Sequence, residues 1–430
     1  MPNQNVNVLI VGSGGREHAI AWKIKSSKYI NNLYVCPGNA GTKQIATNIN
    51  CDINDFDAIK KILLNKKIDI MIVGPEAILV NGINDEISSD NRFSNLIIVG
   101  PKKYGAKMEG SKFFAKQFMQ KYNIPTASFK CFNKEQFHLI NQHLSSNTPP
   151  YVIKADGLAA GKGVFICHTI EDATRAVEDI IIEKRFGEAG NKIIIEQFLE
   201  GTELSVFILT NGHEYKLLPI AKDYKRIGEN DRGLNTGGMG AISPVPFANQ
   251  DFIGKIKKRV IDPTLEGLKK EKIPYSGFLF FGLINVNGEP MVIEYNVRLG
   301  DPETQAIMPR IDCDLLEILS AMNNESLFNR LDMKIKNDNC ASVIVSSGGY
   351  PEKYKTNMPI KGLDKDHPST IFYAGVKFEN KIYKTNGGRV LAITSLAPSL
   401  KESVKKSYMT LENVWFRDMY FRKDIGSEFI

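Results

Sequence analysis

The sequence has few of the residues that mark disulfide-linked proteins or zinc enzymes. Its 430 residues include only six cysteines and six histidines. The cysteines form no C-x-x-C pair, and the histidines show no H-E-x-x-H spacing. These absences argue against a zinc finger, a disulfide framework and a zinc-dependent hydrolase. We therefore expect reduced cysteines and a cytoplasmic location.

Long hydrophobic runs are also missing, as is any cluster of basic and aromatic residues. Apolar runs such as 278–286 are too short to cross a bilayer, and the first residues lack the pattern of a signal peptide. The net charge of +7 is spread along the chain. We expect no membrane partner and no nucleic acid, but anionic small molecules as ligands.

A glycine-rich stretch in the first half of the chain predicts a loop that binds polyphosphate. A short apolar strand, 151–153, ends on Lys154, and a loop with three glycines and a second lysine follows. Glycine lets backbone N–H groups approach an anion, and the lysines supply charge. It is not a P-loop, because Asp156 and Gly163 stand where the Walker pattern needs glycine and serine or threonine. A solvated hairpin is the alternative.

The first hundred residues predict a Rossmann-like domain. A strand at 6–11, a glycine-rich turn and a helix from 17 to 25 form the first unit of a doubly wound sheet, whose helix N-terminus favours phosphate. The dinucleotide fingerprint is incomplete, because Glu17 replaces its third glycine and the second strand ends at Cys36 without an acidic residue. We expect a smaller phosphorylated ligand at the turns that follow the strands.

A long glycine-rich segment, 222–242, predicts a substrate loop. It contains Asp223, Lys225, Arg226 and a Gly-Gly-Met-Gly turn. Ordinary connections are shorter, and binding residues often lie on long loops. A mobile surface loop is the alternative.

Two strands at 277–286 and 290–295, joined by Asn-Gly, predict a hairpin that carries a metal site. Strand alternation places Val292, Glu294 and Asn296 on one face, with Arg298 pointing the same way if the strand continues. A carboxylate and an amide supply the hard oxygen ligands that Mg²⁺ takes beside phosphates and water. A solvent-facing polar edge is the alternative.

Strands at 341–346, 370–376 and 390–394 predict a C-terminal domain. Gly387, Gly388 and Arg389 precede the last of these strands. They could contact an anion, although a tight turn explains them more simply.

Together these patterns resemble the phosphoribosylamine–glycine ligases, ATP-grasp enzymes of purine biosynthesis. The resemblance covers essentially the full length, and Leu299 stands where the family usually has phenylalanine. It rests on G-S-G-G-R-E-H-A (12–19), P-G-N-A-G-T (37–42), V-G-P-E (73–76), E-G-S-K (109–112), I-K-A-D-G-L-A-A-G-K-G-V (153–164), N-T-G-G-M-G-A (235–241), E-Y-N-V-R-L-G-D-P-E-T-Q (294–305) and T-N-G-G-R-V-L (385–391).

The resemblance implies a multidomain α/β and α+β fold. A Rossmann-like domain would cover 1–111, an ATP-grasp domain 112–333 with a lid at about 131–197, and a small α/β domain 334–430. The implied reaction joins glycine to 5-phosphoribosylamine through glycyl phosphate and consumes ATP. Another ATP-grasp carboxylate–amine ligase of nucleotide metabolism, or a nucleotide-binding module without catalysis, is the alternative. We expect a monomer.

The resemblance also implies site residues. Glu294 and Asn296 match ligands of Mg²⁺ or Mn²⁺; Gly282 stands where many ATP-grasp enzymes have a further acid, which leaves the number of ions open. We assign catalysis to Arg298, Lys154 and Asp223. The residues implied for ATP are Lys112, Lys154, Gly157, Gly161, Lys162, Gly163, Glu196, Gln197, Phe198, Leu199 and Glu203. The residues assigned to the amine and glycine substrates are Gly14, Gly15, Arg16, Asn39, Glu76, Asp223 and Arg298.

Overall fold

Five parallel strands form the N-terminal sheet in the computed structural model, which describes residues 5–159 and 163–430. The central strand is apolar and buried apart from Asn7 near its start, as expected where helices cover both faces of a sheet. The strand order is β3-β2-β1-β4-β5. The strands are β1 (Val6–Gly12), β2 (Ile30–Pro37), β3 (Thr47–Asn48), β4 (Ile70–Val73) and β5 (Ile97–Val99).

This sheet confirms the predicted Rossmann-like domain and brings the strand-end turns to one edge. The N–H of Gly38 donates to the carbonyl of Gly12 over 3.1 Å, and that of Gly74 to Val11 over 3.0 Å. The accompanying helices are α1 (Gly15–Lys25), α2 (Thr42–Ile45), α3 (Phe56–Asn65), α4 (Glu76–Asn81), α5 (Ile83–Ser88) and α6 (Lys103–Gly110).

A second, antiparallel sheet lies between 129 and 197, a range that overlaps the predicted lid. Its order is β6-β9-β7-β8, and its hydrophobic core is separate from the cores of the other sheets. Helix α7 leads into it, with Ser111 as its N-cap. The elements are α7 (Lys112–Lys121), β6 (Phe129–Asn133), α8 (Phe137–Ser145), β7 (Tyr151–Ala155), β8 (Val164–Cys167), α9 (Ile170–Val177), which continues as a π turn (Glu178–Ile182), and β9 (Lys192–Gln197).

The third sheet packs directly on the N-terminal domain, and the two share one core. Its order is β11-β10-β16-β17. The elements of this region are β10 (Thr202–Thr210), β11 (Tyr215–Leu217), β12 (Lys222–Asp223), β13 (Arg226–Gly228), β14 (Arg232–Asn235), β15 (Gly240–Ser243), α10 (Gln250–Ile256), α11 (Asp262–Lys270), β16 (Gly277–Val286) and β17 (Glu289–Asn296).

Strand β17 corrects the predicted alternation. Gly282 pairs with Glu294 but Leu283 pairs with Val292, so Ile293 forms a bulge. The extra residue turns Val292 into the core with Tyr295, while Glu294 and Asn296 stay together on the other face. Glu203, one of the residues implied for ATP, is the second residue of β10.

The fourth sheet combines the C-terminal strands with two strands from the middle of the chain. Its order is β12-β15-β18-β22-β19, with β23 beside β18. The predicted loop 222–242 is therefore largely strand, including the hairpin β13–β14. The predicted strand 370–376 ends at Tyr373. The last elements are α12 (Glu303–Ile307), α13 (Leu315–Ser320), α14 (Glu325–Arg330), β18 (Asn339–Ser347), β19 (Thr370–Tyr373), β20 (Val376–Glu379), β21 (Ile382–Thr385), β22 (Arg389–Ala397), α15 (Leu400–Leu411) and β23 (Met419–Tyr420).

Across the described residues, no helix is both long enough and apolar enough to span a bilayer. The predicted domain bounds, cytoplasmic location and monomeric state stay predictions.

His18 joins the N-terminal domain to the C-terminal sheet. Its Nδ1 accepts a hydrogen bond of 2.8 Å from the backbone N–H of Tyr373, and its ring meets Phe372 and Tyr373 edge-on. Burial lowers the pKa of His18 to about 4. The imidazole is therefore neutral in the folded protein at neutral pH.

This buried histidine makes stability depend on pH. The unfolded chain takes up a proton on His18 near pH 6.5, whereas the folded chain resists until about pH 4. The stability contributed by the neutral ring is therefore complete above pH 6.5 and is lost as pH falls toward 4. We expect the free energy of unfolding to drop by about 2 kcal/mol more in the parent than in His18→Gln between pH 7 and 5. Denaturant titrations measure it, and parallel losses in both proteins would contradict it.

Candidate active site

Glu17 occupies the position where the dinucleotide fingerprint has its third glycine. Its carboxylate accepts hydrogen bonds of 2.6 Å from the N–H of Gly14 and from Nε of Arg16. It also fills the space beside the turn after β4, where a Cβ on Gly74 would lie 2.0 Å from Glu17 Oε1. A carboxylate therefore already uses the N–H group that a pyrophosphate would need.

Asn39 organises the loop after β2. Its Nδ2 donates to the carbonyls of Ser13 and Tyr373 over 2.8 and 2.7 Å, and its Oδ1 accepts from the N–H groups of Gly41 and Thr42. These four bonds use the hydrogen-bonding capacity of the amide. Asn39, predicted to bind substrate, thus shapes the loop with its side chain.

A cleft of about 580 Å³ lies between this loop, the turn after β1 and the C-terminal strands β19 to β22. Gly14 and Asn39 line it, together with three cationic side chains, Lys43, Lys377 and Arg389. Such a lining suits a small anion.

Arg389 ties three loops together at one end of the cleft. Its Nη1 donates to the carbonyls of Gly237 and Asp301, each over 2.6 Å, and its Nη2 lies 3.4 Å from the Asp301 carboxylate. Burial raises the pKa of Asp301, but Arg389 and Arg16 lower it more, so it lies below its usual value. The turn 387–389 therefore does more than reverse the chain.

Arg298 follows β17 and lies between two carboxylates from the N-terminal domain. Its Nη2 is 2.8 Å from Glu109 at the end of α6, and its Nε is 3.3 Å from Glu76 at the start of α4. Burial raises the pKa of Glu109 to about 7, although Arg298 opposes the shift. For Glu76, Arg298 and Arg16 outweigh burial and hold the pKa below its usual value.

Arg16 and Arg298 meet at one carbonyl. The Nη1 atoms of both donate to the backbone oxygen of Leu299 over 3.2 Å. The neighbouring Gly15 lies against the side chain of Gln305 in α12. The structure thus brings Gly15, Arg16, Glu76 and Arg298 onto the segment that follows β17.

Two buried lysines share one buried carboxylate at the start of the lid sheet. Glu196 in β9 lies 2.8 Å from Nζ of Lys116 and 2.9 Å from Nζ of Lys154. All three side chains are at most 5% exposed. Burial lowers the pKa of Lys116 to about 8, although Glu196 opposes the shift. We call these three residues the lysine–glutamate triad.

Among the described residues, the Lys112 side chain donates to two backbone carbonyls, those of Ala155 and Gly157, over 3.2 and 2.8 Å. Burial and Lys154 lower its pKa, while Glu294 raises it. Gly157 has φ of +123°, and Gly163 directly precedes the return strand β8. The predicted Gly161 and Lys162 lie outside the described residues. Gln197 ends β9 and is bonded to Ser128, and Phe198 and Leu199 begin the connection to β10.

Glu294 and Asn296 lie side by side, with Asn296 Nδ2 3.4 Å from Glu294 Oε1. Burial raises the pKa of Glu294, but Lys225, Lys154 and Lys112 lower it more, so the group is ionised at neutral pH. Among the described residues, no three of His, Cys, Asp or Glu converge as a metal cluster. One carboxylate and one amide nonetheless fit Mg²⁺, which takes its other ligands from phosphates and water.

Three acidic side chains, those of Glu203, Asp223 and Glu303, face Glu294 and Asn296 across β10. Lys225 lies 2.5 Å from Glu203, and Ser205 donates to Glu303 over 2.9 Å. Burial raises the pKa of Asp223. Burial also raises the pKa of Glu303 to about 7, and the negative charge of Asp223 adds to that shift. Within the described chain, no donor hydrogen-bonds the Asp223 carboxylate, which leaves it free for a cationic ligand.

Family comparison identifies all three parts of the chain. Models of phosphoribosylglycinamide synthetase match the N domain at residues 6–109, the ATP-grasp (A) domain at 110–304 and the C domain at 340–428. The chain belongs to this family. A phosphoribosylamine–glycine ligase of Fusobacterium nucleatum is 42% identical over 430 residues and 99% of both chains. The one of Escherichia coli K12 is 41% identical over 98% of both.

Solved structures agree with the assignment. The phosphoribosylamine–glycine ligase of Thermotoga maritima superposes with a TM-score of 0.84 at 35% identity and covers 98% of this chain and 100% of its own. A biotin carboxylase domain of Hydrogenobacter thermophilus reaches a TM-score of 0.73 at 14% identity over 97% and 92% of the two chains, which shows a shared fold alone.

Sequence reasoning missed several residues of this site. Glu109 and Glu303 belong to the motifs 109–112 and 294–305, but the sequence alone assigns neither of them a role. Lys116 had no signal, because a lysine one turn after Lys112 looks like part of a solvated helix face. Arg389 has a visible signal as a possible anion contact, but a tight turn is the simpler explanation of its sequence.

The lysine–glutamate triad predicts an unequal response to two substitutions. Glu196→Gln leaves two buried lysines without a counter-charge, so we expect it to lower the free energy of unfolding by about 3–5 kcal/mol. Lys116→Met leaves a balanced pair of Lys154 and Glu196, and we expect a loss below about 2 kcal/mol. Denaturant titration of both variants checks the order. Equal losses would show that charge balance does not decide stability here.

Proposed function

We propose that this protein joins glycine to 5-phosphoribosylamine and consumes ATP, giving glycinamide ribonucleotide, ADP and phosphate. The observation that carries the proposal is the Leu299 carbonyl, to which both Arg16 and Arg298 donate. It connects the N-terminal turns, where we place the phosphorylated amine, to the strand that ends in Glu294 and Asn296. A carboxylate activated at that strand can therefore meet the amine.

The ATP end of the site would use the two lysines and the lid sheet. The contacts of Lys112 in the described part of the chain are to carbonyl oxygens, which phosphate oxygens can replace, and Lys154 is fixed in place by Glu196. Backbone groups of 196–199 would contact the adenine, and Glu203 the ribose. The loop with Gly157 and Gly163 would close over the phosphates.

A divalent cation fits beside these lysines. Glu294 and Asn296 would hold Mg²⁺ or Mn²⁺, which on binding neutralises charge on the transferred phosphoryl group. Glu294 is half-buried and ionised, and two of the three lysines that keep it ionised, Lys154 and Lys112, are the ones proposed to contact phosphate. The chemistry of the donor set and its surroundings thus agree.

Glycine offers a carboxylate and an ammonium group, and the site has an opposite charge for each. Arg298 is the proposed partner of the carboxylate and of the acyl phosphate formed from it. Asp223, whose carboxylate is free of protein donors, is the proposed partner of the ammonium. Both residues approach the face of β17 that carries Glu294.

Phosphoribosylamine would lie in the cleft between the N-terminal and C-terminal domains. Lys43, Lys377 and Arg389 supply positive charge for its phosphate. Gly14 and Asn39 border the cleft directly, whereas Gly15, Arg16 and Glu76 support it from the side of Arg298. Its amine would then point toward the acyl phosphate.

The reaction follows from the poor electrophilicity of a carboxylate. A glycine oxygen attacks the γ-phosphorus, the bond to ADP breaks, and glycyl phosphate forms. The amine nitrogen then attacks the glycyl carbon, phosphate leaves with the bonding pair, and the departing phosphate can take the proton that the nitrogen loses. Positioning and positive charge supply the catalysis, and Lys112, Lys154 and Arg298 provide both.

Two other functions were considered. A different ATP-grasp carboxylate–amine ligase would use the same ATP residues, and the family match to all three domains disfavours it. A binding module without catalysis has no need of an ionised carboxylate beside two phosphate lysines.

The proposed reaction predicts that ADP release requires both small substrates. We expect ADP to form only when glycine and freshly prepared phosphoribosylamine are both present, as measured by a coupled pyruvate kinase assay. Equal ADP release with either substrate omitted would overturn the proposal, and turnover with other amino acids would indicate a different ligase. With glycine labelled by ¹⁸O in its carboxylate, one ¹⁸O should appear in the released phosphate. Unlabelled phosphate would rule out glycyl phosphate.

The metal assignment predicts a shifted magnesium dependence in Glu294→Gln. Losing the only charged ligand of the pair should raise the half-saturating Mg²⁺ concentration by at least about tenfold, a range reached even by residues that support ligands. The matched control is Glu289→Gln on the same strand, since Glu289 pairs with Lys255 at the surface. An unchanged titration in Glu294→Gln, or an equal shift in the control, would contradict the assignment.

A further inference from the structure

The segment after α15, residues 419–430, packs against the back of the segment 222–225, which begins with β12 and carries Asp223 and Lys225. Tyr224 lies between these two residues and still pairs through its backbone with Met239 and Gly240, so its side chain points to the opposite side. It is 2% exposed and lies in the core of the C-terminal domain. The two active-site charges and the C-terminal segment thus occupy opposite sides of the segment 222–225.

Tyr224 is held by both hydrogen bonds and charge. Its hydroxyl donates to the Glu428 carboxylate, 2.8 Å from Oε1, and accepts from the N–H of Gly426 over 2.9 Å. Lys222 lies over the ring at 3.9 Å and pairs with Glu428 at 3.0 Å. Arg422 lies over the same ring at 5.1 Å. These contacts fix the position of Tyr224 and so of its two neighbours.

Arg422 extends the same contacts to the hairpin β13–β14. It is 1% exposed, and its Nη1 donates to Asp231 over 2.6 Å and to the carbonyl of Arg226 over 3.2 Å. Its Nη2 pairs with Asp424 at 2.7 Å, and Asp424 in turn accepts from the N–H of Asn230 over 2.8 Å. One buried guanidinium therefore connects the C-terminal segment to both ends of the hairpin.

The hairpin has little support of its own. Strand β14 is mostly exposed, the register between β13 and β14 is irregular, and Asn230 and Asp231 have left-handed backbone conformations. Two-stranded hairpins are only marginally stable alone. The C-terminal segment supplies most of the polar contacts that hold this one.

We propose that residues 419–430 position the active site, with Tyr224, Arg422 and Glu428 acting through the segment 222–225, which carries Asp223 and Lys225. None of the three would contact substrate. The proposal rests on the proposed function, since Asp223 is taken there as the partner of the glycine ammonium. It connects the glycine end of the site, at Asp223, to the C-terminal segment.

The test uses Tyr224→Phe and Arg422→Lys in the full chain. Tyr224→Phe removes only the hydroxyl, and Arg422→Lys keeps the charge but loses the fork that reaches Asp231 and Asp424. We expect each variant to raise the KM for glycine about tenfold, the scale of one hydrogen bond to a charged group. The KM for phosphoribosylamine should stay unchanged, because the C-terminal segment does not line its cleft.

This split distinguishes positioning from general destabilisation. A smaller fraction of folded protein would lower kcat and leave every KM unchanged, and that result would overturn the proposal. The matched control is Glu412→Gln, an exposed carboxylate at the end of α15, which should leave all constants unchanged. Unchanged kinetics in both Tyr224→Phe and Arg422→Lys would also overturn it.

Hydrogen exchange provides a readout that needs no substrate. Amides of 226–235 should exchange faster in Arg422→Lys than in the parent, while those of β16 should not change. If the parent protein does not ligate glycine, the proposed function fails although the exchange result can still hold. Faster exchange with an unchanged glycine KM would instead overturn the positioning role alone.

Discussion

A buried guanidinium needs carboxylates around it, and that requirement holds the active site together. Arg298 leaves the end of β17 and finds Glu76 and Glu109 at the ends of two helices of the N-terminal domain. Removing Arg298 would leave two carboxylates without their shared counter-charge in a low-dielectric interior, which costs far more than a surface ion pair gains. The orientation of the ATP-grasp sheet against the N-terminal domain is thus tied to the residue proposed to hold glycine.

The buried lysines at the ATP end also need carboxylates around them, but there the positive charge is not fully neutralised. Glu196 neutralises only one of Lys116 and Lys154, so the lysine–glutamate triad keeps one positive charge. Lys112 adds a second positive charge, and its partners among the described residues are carbonyl oxygens. Across from them lie Glu294, Asp223 and Glu303, of which only Glu294 has its pKa held below the usual value. A polyphosphate that binds here places negative charge beside the lysines, and its cation places positive charge beside the carboxylates. The site is therefore electrically incomplete without its ligand.

Much of this arrangement could be predicted from sequence, because the signals are local. The alternation of strand and glycine-rich turn predicted the N-terminal sheet, and the residues that carry Lys154, Glu294 and Arg298 lie in recognisable patterns. The predicted face of Val292 was wrong, because the bulge at Ile293 reverses the alternation of side chains before it. Such a bulge has no local signature in the sequence. Lys116, Glu109 and the C-terminal segment were missed for a related reason. Their roles come from partners far away in the chain, and a lysine or arginine destined for the interior looks like any other.

The incomplete dinucleotide fingerprint shows how a local departure can carry the functional argument. In the usual arrangement a third glycine lets the helix approach the strand, and a pyrophosphate accepts from the N–H groups of the turn. Here Glu17 accepts from the N–H of Gly14 and packs against Gly74, so a second negative group at that position would meet a carboxylate. The positive charge of the cleft lies instead on Lys43, after the loop of Asn39, and on Lys377 and Arg389 of the C-terminal domain. A ligand with one phosphate can reach them and still leave its reactive group near Arg298, whereas a dinucleotide would need the turn that Glu17 already occupies.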